Sequence, residues 1–326
     1  MQKAVSVIVP FYRVSAFIER CAESLMQQTL QEVEFLFVDD ASPDDSKDRL
    51  EHVIAKHPGR DVRILTHAAN KGLPAARNTG LAEACGEYVY HCDSDDYLEP
   101  DMLEKLYRAA KTQDADIAYC DFFITFEKGE RYMANPEYSS STDLLKFGYL
   151  CGRMKYNVWN KLVRRSLYVA SGIVFPDGHN MGEDMTMIQL AAVAGKVASV
   201  PEALYHYVKL NPTAYSNTFS AKNLSDIRYN TDRTLAFLQG QEMPEKEKFL
   251  SLFKLNVKLP FLVSGDKMQY RLWKEWFPEA DRFALSNPVL PFRTRLLQWA
   301  AAKGQFWYVR LYGVIIEKIY YGLRYK

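Results

Sequence analysis

Residues 90–100 read Tyr90-His91-Cys92-Asp93-Ser94-Asp95-Asp96-Tyr97-Leu98-Glu99-Pro100, and the rest of the chain is best interpreted from them. The aromatic and β-branched run before Asp93 predicts a buried strand, and Pro100 predicts the start of an amphipathic helix. Three carboxylates therefore fall where the strand ends. Crowded carboxylates repel one another unless a cation lies among them, and oxygen ligands of this type suit Mg²⁺ or Mn²⁺. The alternative is a solvated acidic turn that caps the next helix.

Continuous apolar, β-rich runs predict further buried strands within the first 120 residues. They lie at residues 4–9, 33–38, 62–65 and 115–120, and helical segments separate them. Strands and helices that alternate at this spacing indicate βαβ units in a right-handed, doubly wound, Rossmann-like parallel sheet. Ligands of such sheets bind beyond the carboxyl ends of the strands. Polar residues follow three of these ends, namely Tyr12, Asp39 with Asp40, and Asp93 with Asp95.

The segment after the first predicted strand contains no glycine-rich phosphate loop. Neither the dinucleotide-binding fingerprint nor the P-loop motif therefore applies. A nucleotidyltransferase would also use a parallel sheet and a carboxylate-held metal ion, but it should carry a glycine-rich basic loop at this point. A phosphate group must be held in another way, and a metal ion bound by Asp95 provides one.

Composition and charge narrow the class of protein. Of the 326 residues, 48% are hydrophobic and 25% are charged, which is ordinary for a globular protein with a sizeable core. A net charge of +1 argues against a dedicated nucleic-acid binder. The five widely spaced cysteines form no Cys-x-x-Cys pair, so we expect buried free thiols in a reducing compartment. No signal peptide or membrane-spanning segment is predicted, and we expect a cytoplasmic location.

Motifs spread over residues 3–216 together resemble a known enzyme family. In chain order they are Val5-Ser6-Val7-Ile8-Val9-Pro10-Phe11-Tyr12, Val38-Asp39-Asp40-Ala41-Ser42, Asn70-Lys71-Gly72 with Ala76-Arg77-Asn78, Asp93-Ser94-Asp95-Asp96, Trp159-Asn160-Lys161-Leu162, Gly182-Glu183-Asp184 and Leu204-Tyr205-His206-Tyr207. The series resembles family 2 of the nucleotide-sugar glycosyltransferases. This resemblance implies a GT-A catalytic domain over residues 1–216 and transfer of a sugar from a nucleotide diphosphate donor with inversion. Residues 217–326 carry no motif of the family.

The resemblance assigns the donor nucleotide to residues after the first two strands. Asp40 matches the position that accepts a hydrogen bond from the base ring, commonly uracil, and Pro10 and Tyr12 match positions that pack around the base. Asp39 either contacts the ribose or only shapes the turn, since aspartate favours turns. Family members usually have glycine where this chain has Ala41, a difference that affects the path of the turn.

The resemblance assigns the diphosphate and the metal ion to the acidic turn and to Arg77. Asp95 matches the residue that binds Mn²⁺ or Mg²⁺ directly, and Asp93 faces the ribose or supports the metal ion through water. Arg77 either holds diphosphate oxygens or forms a structural salt bridge to Asp93 or Asp96, because guanidinium pairs well with both anions. Asp96 either touches the ligand or caps the next helix.

An inverting displacement also needs a base that takes the acceptor proton. The resemblance makes Asp184 that base and Glu183 an acceptor contact or a structural partner, although acids in the first turn of a helix are also stabilised by its dipole. Trp159 and Asn160 match the acceptor-side wall, and the alternative for Trp159 is a buried core residue. His206 resembles a position that completes the metal shell in some relatives, and the alternative is a hydrogen-bonded core histidine.

From Asn217 the pattern becomes helical, with helices predicted at residues 224–238, 248–263, 296–302 and 309–323. Residues 291–326 combine seven lysines and arginines with Glu317 as their one acid, and they are rich in aromatic residues. Cationic, aromatic helices can lie on an anionic membrane, which would suit a lipid-linked acceptor. The alternative is a set of packed helices with a solvated basic face.

The sequence therefore predicts a metal-dependent, inverting glycosyltransferase that is cytoplasmic or peripheral on the inner face of the cell membrane. Its expected substrates are a nucleotide-sugar donor, most simply a UDP-sugar, and a carbohydrate or lipid-linked acceptor in surface polysaccharide or glycolipid assembly. Two alternatives stay open: a nucleotidyltransferase, and a non-catalytic sugar-nucleotide-binding protein that has kept the fold.

Overall fold

The chain forms two compact units. The computed structural model describes residues 3–210, 220–263 and 267–315. The first unit comprises Met1–Leu144 and Tyr156–Thr234, and the second comprises Leu145–Lys155 and Leu235–Lys326.

A single mixed sheet, with nine strands among the described residues, runs through the first unit. In chain order its strands are β1 Val5–Phe11, β2 Val33–Asp39, β3 Asp61–Thr66, β4 Tyr88–His91, β5 Tyr97–Leu98, β6 Ile117–Phe126, β7 Gly129–Met133, β8 Lys161–Arg164 and β9 Val197–Val208. Their spatial order is β3-β2-β1-β4-β8-β6-β9-β5, and β7 pairs with β6. Strand β8 is antiparallel to both β4 and β6, whereas β1 is parallel to β2 and β4.

The registers of the parallel strands bring the polar loop residues to one edge of the sheet. Strands β1 and β2 are buried at every position, as expected for strands covered on both faces. Phe11 lies opposite Asp39, and Asp39 lies opposite Thr66. Because β4 is also a parallel neighbour of β1, the residues after β1, β2, β3 and β4 share this edge.

Helices cover the sheet and make up the regular structure of the second unit among its described residues. In the first unit they are α1 Ile18–Met26, α2 Ser46–Lys56, α3 Leu73–Glu83, α4 Met102–Gln113, α5 Ser141–Asp143, α6 Arg165–Ser171 and α7 Thr186–Val193, with a 3₁₀ turn at Glu183–Met185. A π-helix at Leu144–Leu150 belongs to the second unit from Leu145 onward. The helices continue with α8 Ala221–Gln239, α9 Lys246–Lys258, α10 Pro260–Val263, α11 Lys267–Glu275, a 3₁₀ helix Pro278–Phe283, α12 Phe292–Ala302 and α13 Phe306–Ile315. In the described part of the chain, none is both long and apolar enough to cross a membrane.

Most of the predicted elements are confirmed, with two corrections. The predicted doubly wound, mostly parallel sheet is confirmed, but its parallel order is interrupted where the short antiparallel strand β8, which was not predicted, lies between β4 and β6. The helix predicted over residues 248–263 is two helices, because Pro260 cannot continue the hydrogen bonding of α9. The last predicted helix extends beyond Ile315, where it lies outside the described residues. All five cysteines are free, and all except Cys85 are buried.

Candidate active site

The carboxylate of Asp40 fixes the turn at residues 70–72. Asp40 is 3% exposed and follows β2 directly. It accepts hydrogen bonds from the backbone N–H groups of Lys71 and Gly72, each at 2.8 Å, and lies 2.7 Å from Nδ1 of His67. Three partners on one buried carboxylate make this corner of the sheet edge rigid, and they hold the turn that begins α3.

The neighbouring donor-side residues shape the loops around this corner. Asp39 accepts a hydrogen bond from the Ser42 N–H at 2.8 Å, so its carboxylate stabilises the turn. Ala41 has a φ of +57°, a left-handed conformation that favours glycine, which gives a physical reason for the glycine that family members carry there. Pro10 is buried within β1, whereas Tyr12 is 38% exposed and offers a ring face, with the Arg13 guanidinium 5.2 Å from its centroid.

Arg77 on α3 joins the acidic turn to the predicted base. Its guanidinium is buried, and Nη2 donates to Asp93 Oδ1 at 3.0 Å. Nη1 donates to Glu183 Oε1 and to Asp184 Oδ1, both at 3.1 Å. Burial alone would lower the pKa of Arg77, but the three carboxylates outweigh it and raise that pKa. The structural salt bridge to Asp93 is therefore present, and it extends to a second acidic pair 106 and 107 residues away.

Glu183 and Asp184 form a 3₁₀ turn before α7 and carry abnormal acidities. Burial raises the pKa of Asp184, and the charge of Asp93 adds to the rise, while Arg77 and Lys161 limit it. Burial and the adjacent Asp184 charge also raise the pKa of Glu183. The Asp184 side chain keeps 25% of its surface exposed. A partly accessible carboxyl with a raised pKa is suited to accept a proton near neutral pH.

The acidic turn at residues 93–96 is held in place by its last member. Asp96 is fully buried, accepts a hydrogen bond from the Tyr205 hydroxyl at 2.5 Å, and accepts another from the Val208 N–H at 2.7 Å. It therefore neither caps α4, whose N-cap residue is Asp101, nor faces the site. Asp93 and Asp95, which precede it, are only partly buried.

The oxygen donors of Asp93 and Asp95 fit a hard divalent cation. In the described ranges, no group of three or more histidine, cysteine or acidic side chains is arranged to hold a metal ion. Mg²⁺ and similar ions at phosphate-handling sites commonly use one or two carboxylates and take their remaining ligands from phosphate oxygens and water. A site completed by the substrate's diphosphate is compatible with these residues.

His206 lies on β9 and is bound to protein groups through both ring nitrogens. Its Nδ1 lies 2.7 Å from Glu130 Oε1, and its Nε2 lies 2.9 Å from Glu99 Oε1. The ring stacks on Tyr97 at 4.1 Å and on Phe123 at 5.0 Å. In this arrangement neither nitrogen is available as a metal ligand, and the core-histidine alternative describes the geometry.

Trp159 and Asn160 lie beneath the surface. Trp159 is 7% exposed and stacks on Tyr205 and Tyr207 at 4.5 and 5.3 Å. Asn160 is fully buried, and its Nδ2 donates to the Cys120 carbonyl at 2.7 Å. Both residues can shape an acceptor site only through the backbone and the side chains that they support.

Lys161 is a residue of the site whose role sequence reasoning missed. It is 1% exposed, and its Nζ donates to the Asn157 carbonyl at 2.6 Å and to Asn160 Oδ1 at 2.8 Å. Burial lowers the pKa of Lys161 to about 7, while the charge of Asp184 acts in the opposite direction. The signal was available, since lysine in an otherwise buried strand is rare unless it is paired.

Comparison with known proteins identifies the family. The model of the family described as Glycosyl transferase family 2 matches residues 6–177. The chain is 34% identical to a Bacillus subtilis (strain 168) protein described as uncharacterized glycosyltransferase EpsJ, over 64% of this chain and 62% of that protein. It is 30% identical to the cholesterol galactosyltransferase of Borreliella burgdorferi, over 83% of this chain and 80% of that enzyme.

A solved structure supports the fold. The crystal structure of S. aureus TarS 1-349 in complex with UDP-GlcNAc matches 99% of this chain and 93% of that chain, with a TM-score of 0.71 and 20% identity. The predicted GT-A fold with a helical C-terminal region is therefore confirmed. The matched proteins named above give no support to the nucleotidyltransferase alternative.

Proposed function

Because the chain belongs to glycosyl transferase family 2, we propose that it transfers a sugar from a UDP-sugar to a hydroxyl acceptor with inversion at the anomeric carbon. The observation that carries the proposal is the Arg77 guanidinium, which contacts both Asp93 and Asp184. The two halves of the reaction, the leaving diphosphate and the acceptor hydroxyl, would meet around this one side chain.

Donor binding is proposed for the corner of the sheet edge that Asp40 makes rigid. The exposed ring of Tyr12 offers a stacking face for the base, beside Pro10, and Asp40 accepts the hydrogen bond of the base ring. Asp39 supports the turn and Asp93 faces the ribose. The bound TarS ligand, UDP-GlcNAc, supports UDP as the carrier.

Asp95 would hold Mn²⁺ or Mg²⁺, with Asp93 assisting, since carboxylate oxygens suit these ions. When bound, the ion supplies Lewis-acid stabilisation of the charge that develops on the leaving diphosphate. His206 takes no part in this proposal, because Glu99 and Glu130 occupy its nitrogens.

Asp184 is proposed to take the proton of the acceptor hydroxyl as that oxygen attacks the anomeric carbon. Its raised pKa places proton uptake nearer to neutral pH than an ordinary aspartate would. Glu183 is proposed to contact the acceptor or to hold Arg77. Trp159 and Asn160 are proposed to form the packed layer beneath the acceptor site.

The acceptor is proposed to be a carbohydrate or lipid-linked hydroxyl of surface polysaccharide or glycolipid assembly, reached from the cytoplasmic face of a membrane. The Borreliella relative is named for a lipid acceptor, cholesterol, and α12 and α13 expose aromatic and basic side chains. Both observations support a peripheral position on an anionic membrane.

A panel of nucleotide sugars with Mn²⁺, read first by thermal stabilisation and then by release of the nucleoside diphosphate, tests the proposal. We expect one UDP-sugar to stabilise the chain and to turn over. Asp184→Asn should abolish turnover with donor affinity nearly unchanged, whereas Asp95→Ala should weaken Mn²⁺-dependent donor binding. Equal losses of donor affinity in both variants would contradict this division of roles, and donor binding without any turnover would favour the non-catalytic alternative.

A further inference from the structure

The segment that carries Glu183 and Asp184, residues 174–184, lies mostly outside helices and strands. Its backbone groups therefore need partners from elsewhere, because buried peptide groups are costly when unpaired. Two helices provide them, and one is α8, which begins after the expected end of the catalytic domain at residue 216 and belongs to the first compact unit as far as Thr234.

One face of α8 holds the middle of this segment. Lys222, Asp226 and Asn230 are spaced by four residues, so they share that face. Lys222 Nζ donates to the Gly178 carbonyl at 2.9 Å, and Asp226 Oδ1 lies 3.0 Å from Nδ1 of His179. Asn230 Nδ2 donates to the carbonyls of His179 and Met181 at 3.2 and 2.8 Å.

Helix α3 holds the two ends of the same segment. Asn78 accepts a hydrogen bond from the Phe175 N–H and donates to the Phe175 carbonyl, both at 2.9 Å. The adjacent Arg77 holds Asp184. The segment is thus fixed at its start, in its middle and at the predicted base.

Among the contacts from α3 and α8 given above, those of Asn230 bind the backbone at the position nearest in sequence to Asp184. Asn230 is 1% exposed, and its two acceptors lie within the five residues that precede Asp184. Two carbonyls on one amide fix the orientation of that side chain, since only the NH₂ group can donate. No other group in the described part of the chain donates to its Oδ1.

We propose that Asn230 is a positioning residue for transfer, which sets the place of Asp184 by holding the carbonyls of His179 and Met181. The proposal rests on the proposed role of Asp184 as the base. A displacement of about 1 Å at a reacting group can cost about 100-fold in rate, so a side chain that never touches substrate can control turnover from this position.

The test uses the full chain, Mn²⁺ and the UDP-sugar of the panel above that turns over, with release of UDP as the readout. We expect Asn230→Ala to lower kcat by about 10- to 100-fold with an unchanged KM for the donor. Asn230→Ser keeps one hydrogen-bond donor, so its kcat should lie between that of the unchanged chain and that of Asn230→Ala. Amide hydrogen exchange of residues 174–184 should rise in Asn230→Ala.

Thr234→Val is the matched control. Thr234 is a fully buried residue of the same helix, and its hydroxyl accepts from Nε2 of Gln189 at 3.3 Å, a residue of α7 outside the segment. We expect Thr234→Val to lower the free energy of unfolding by about as much as Asn230→Ala does, and to leave kcat unchanged.

An unchanged kcat in Asn230→Ala, or an equal loss of kcat in Thr234→Val, would overturn the inference. A donor KM that rises with the fall in kcat would do so as well, because it would assign Asn230 to donor binding. Should Asn230→Ala not fold, the kcat of Asn230→Ser decides in the same way. An active Asp184→Asn variant would instead refute the proposed base, whichever result Asn230 gives.

Discussion

Arg77 is a single buried cation that faces three carboxylates. Removing one partner of a buried ion pair leaves uncompensated charge and typically costs about 3–5 kcal/mol. We therefore expect Arg77→Ala to lower the free energy of unfolding by about that amount, as measured by urea denaturation at pH 7. Arg271→Ala removes an exposed arginine paired with Glu275 and should cost at most about 0.5 kcal/mol. Similar losses in both variants would mean that the cluster contributes little.

Lys161 acts on Asp184 through its charge, and the pH dependence of turnover should reveal it. The lysine charge lowers the pKa of Asp184, and a base works only when deprotonated, so activity falls as the pH drops through that pKa. Lys161→Met should move this acidic limb of kcat to higher pH. The effect should be largest below about pH 7, since Lys161 itself loses its charge near there.

Lys196→Met provides the control for Lys161, because its ammonium is exposed and lies 3.9 Å from Asp114. Its pH profile should match that of the unchanged chain. An acidic limb that stays in place in Lys161→Met would show that the lysine serves packing alone.

Strand β8 is an element that could not be predicted from the sequence, unlike β1 and β2. Strands β1 and β2 could be predicted because each is a long apolar run that is buried throughout. Strand β8 has only four residues, with Lys161 and Arg164 at its ends, and no strand was predicted there. Its burial depends on pairing with both β4 and β6, which no local pattern encodes.

The same limit applies to the site. The motifs identified Asp93 and Asp184 and allowed an Arg77–Asp93 salt bridge, but they did not link Arg77 to Asp184, because 107 residues separate the two. The stacking of Trp159 on Tyr205 and the two glutamate partners of His206 also come from residues that are distant in the sequence. The local sequence could therefore predict which residues belong to the candidate site, but not how they are arranged, because their arrangement depends on the fold.

Strand β5 anchors the acidic turn to β9, and the joint can be tested. Tyr97 and Leu98 pair with His206 and Tyr205, and the Tyr205 hydroxyl donates to the buried Asp96. Asp96 is fully buried, so the loss of that donor leaves its carboxyl group with the Val208 N–H as the remaining described donor. Tyr205→Phe should therefore cost about 1–3 kcal/mol in the free energy of unfolding.

The control for this joint is Tyr207→Phe, which removes a hydroxyl that bonds only Lys209 at 2.7 Å among the contacts described for that oxygen. It should cost less than about 0.5 kcal/mol, since surface substitutions usually do. If thermal unfolding ranks the two variants equally, the Asp96 anchor is not what holds β5 in place.

The charge of the whole chain is nearly balanced, with 41 basic and 40 acidic residues, yet its distribution is uneven. Residues 291–315 contain four basic residues and no acid. Within them the exposed fractions are 63% for Phe292, 38% for Trp299, 63% for Trp307 and 49% for Leu311. Exposed aromatic side chains beside cations match the surface of a membrane-bound helix, whereas a solvated basic face alone would not need them.

Membrane binding by the second unit should therefore depend on charge and on these indole rings together. We expect the full chain to sediment with phosphatidylserine vesicles at low salt and not with neutral phosphatidylcholine vesicles. Each basic residue near an anionic surface contributes about 1 kcal/mol, and salt should weaken binding because the Debye length falls to about 3 Å at 1 M. Trp299→Ser with Trp307→Ser should reduce sedimentation, whereas Phe126→Ser, which removes a 46% exposed ring from the first unit, should not. Equal binding by the tryptophan variant and the unchanged chain, or no binding to anionic vesicles, would refute the membrane role of α12 and α13 and leave their basic face solvated.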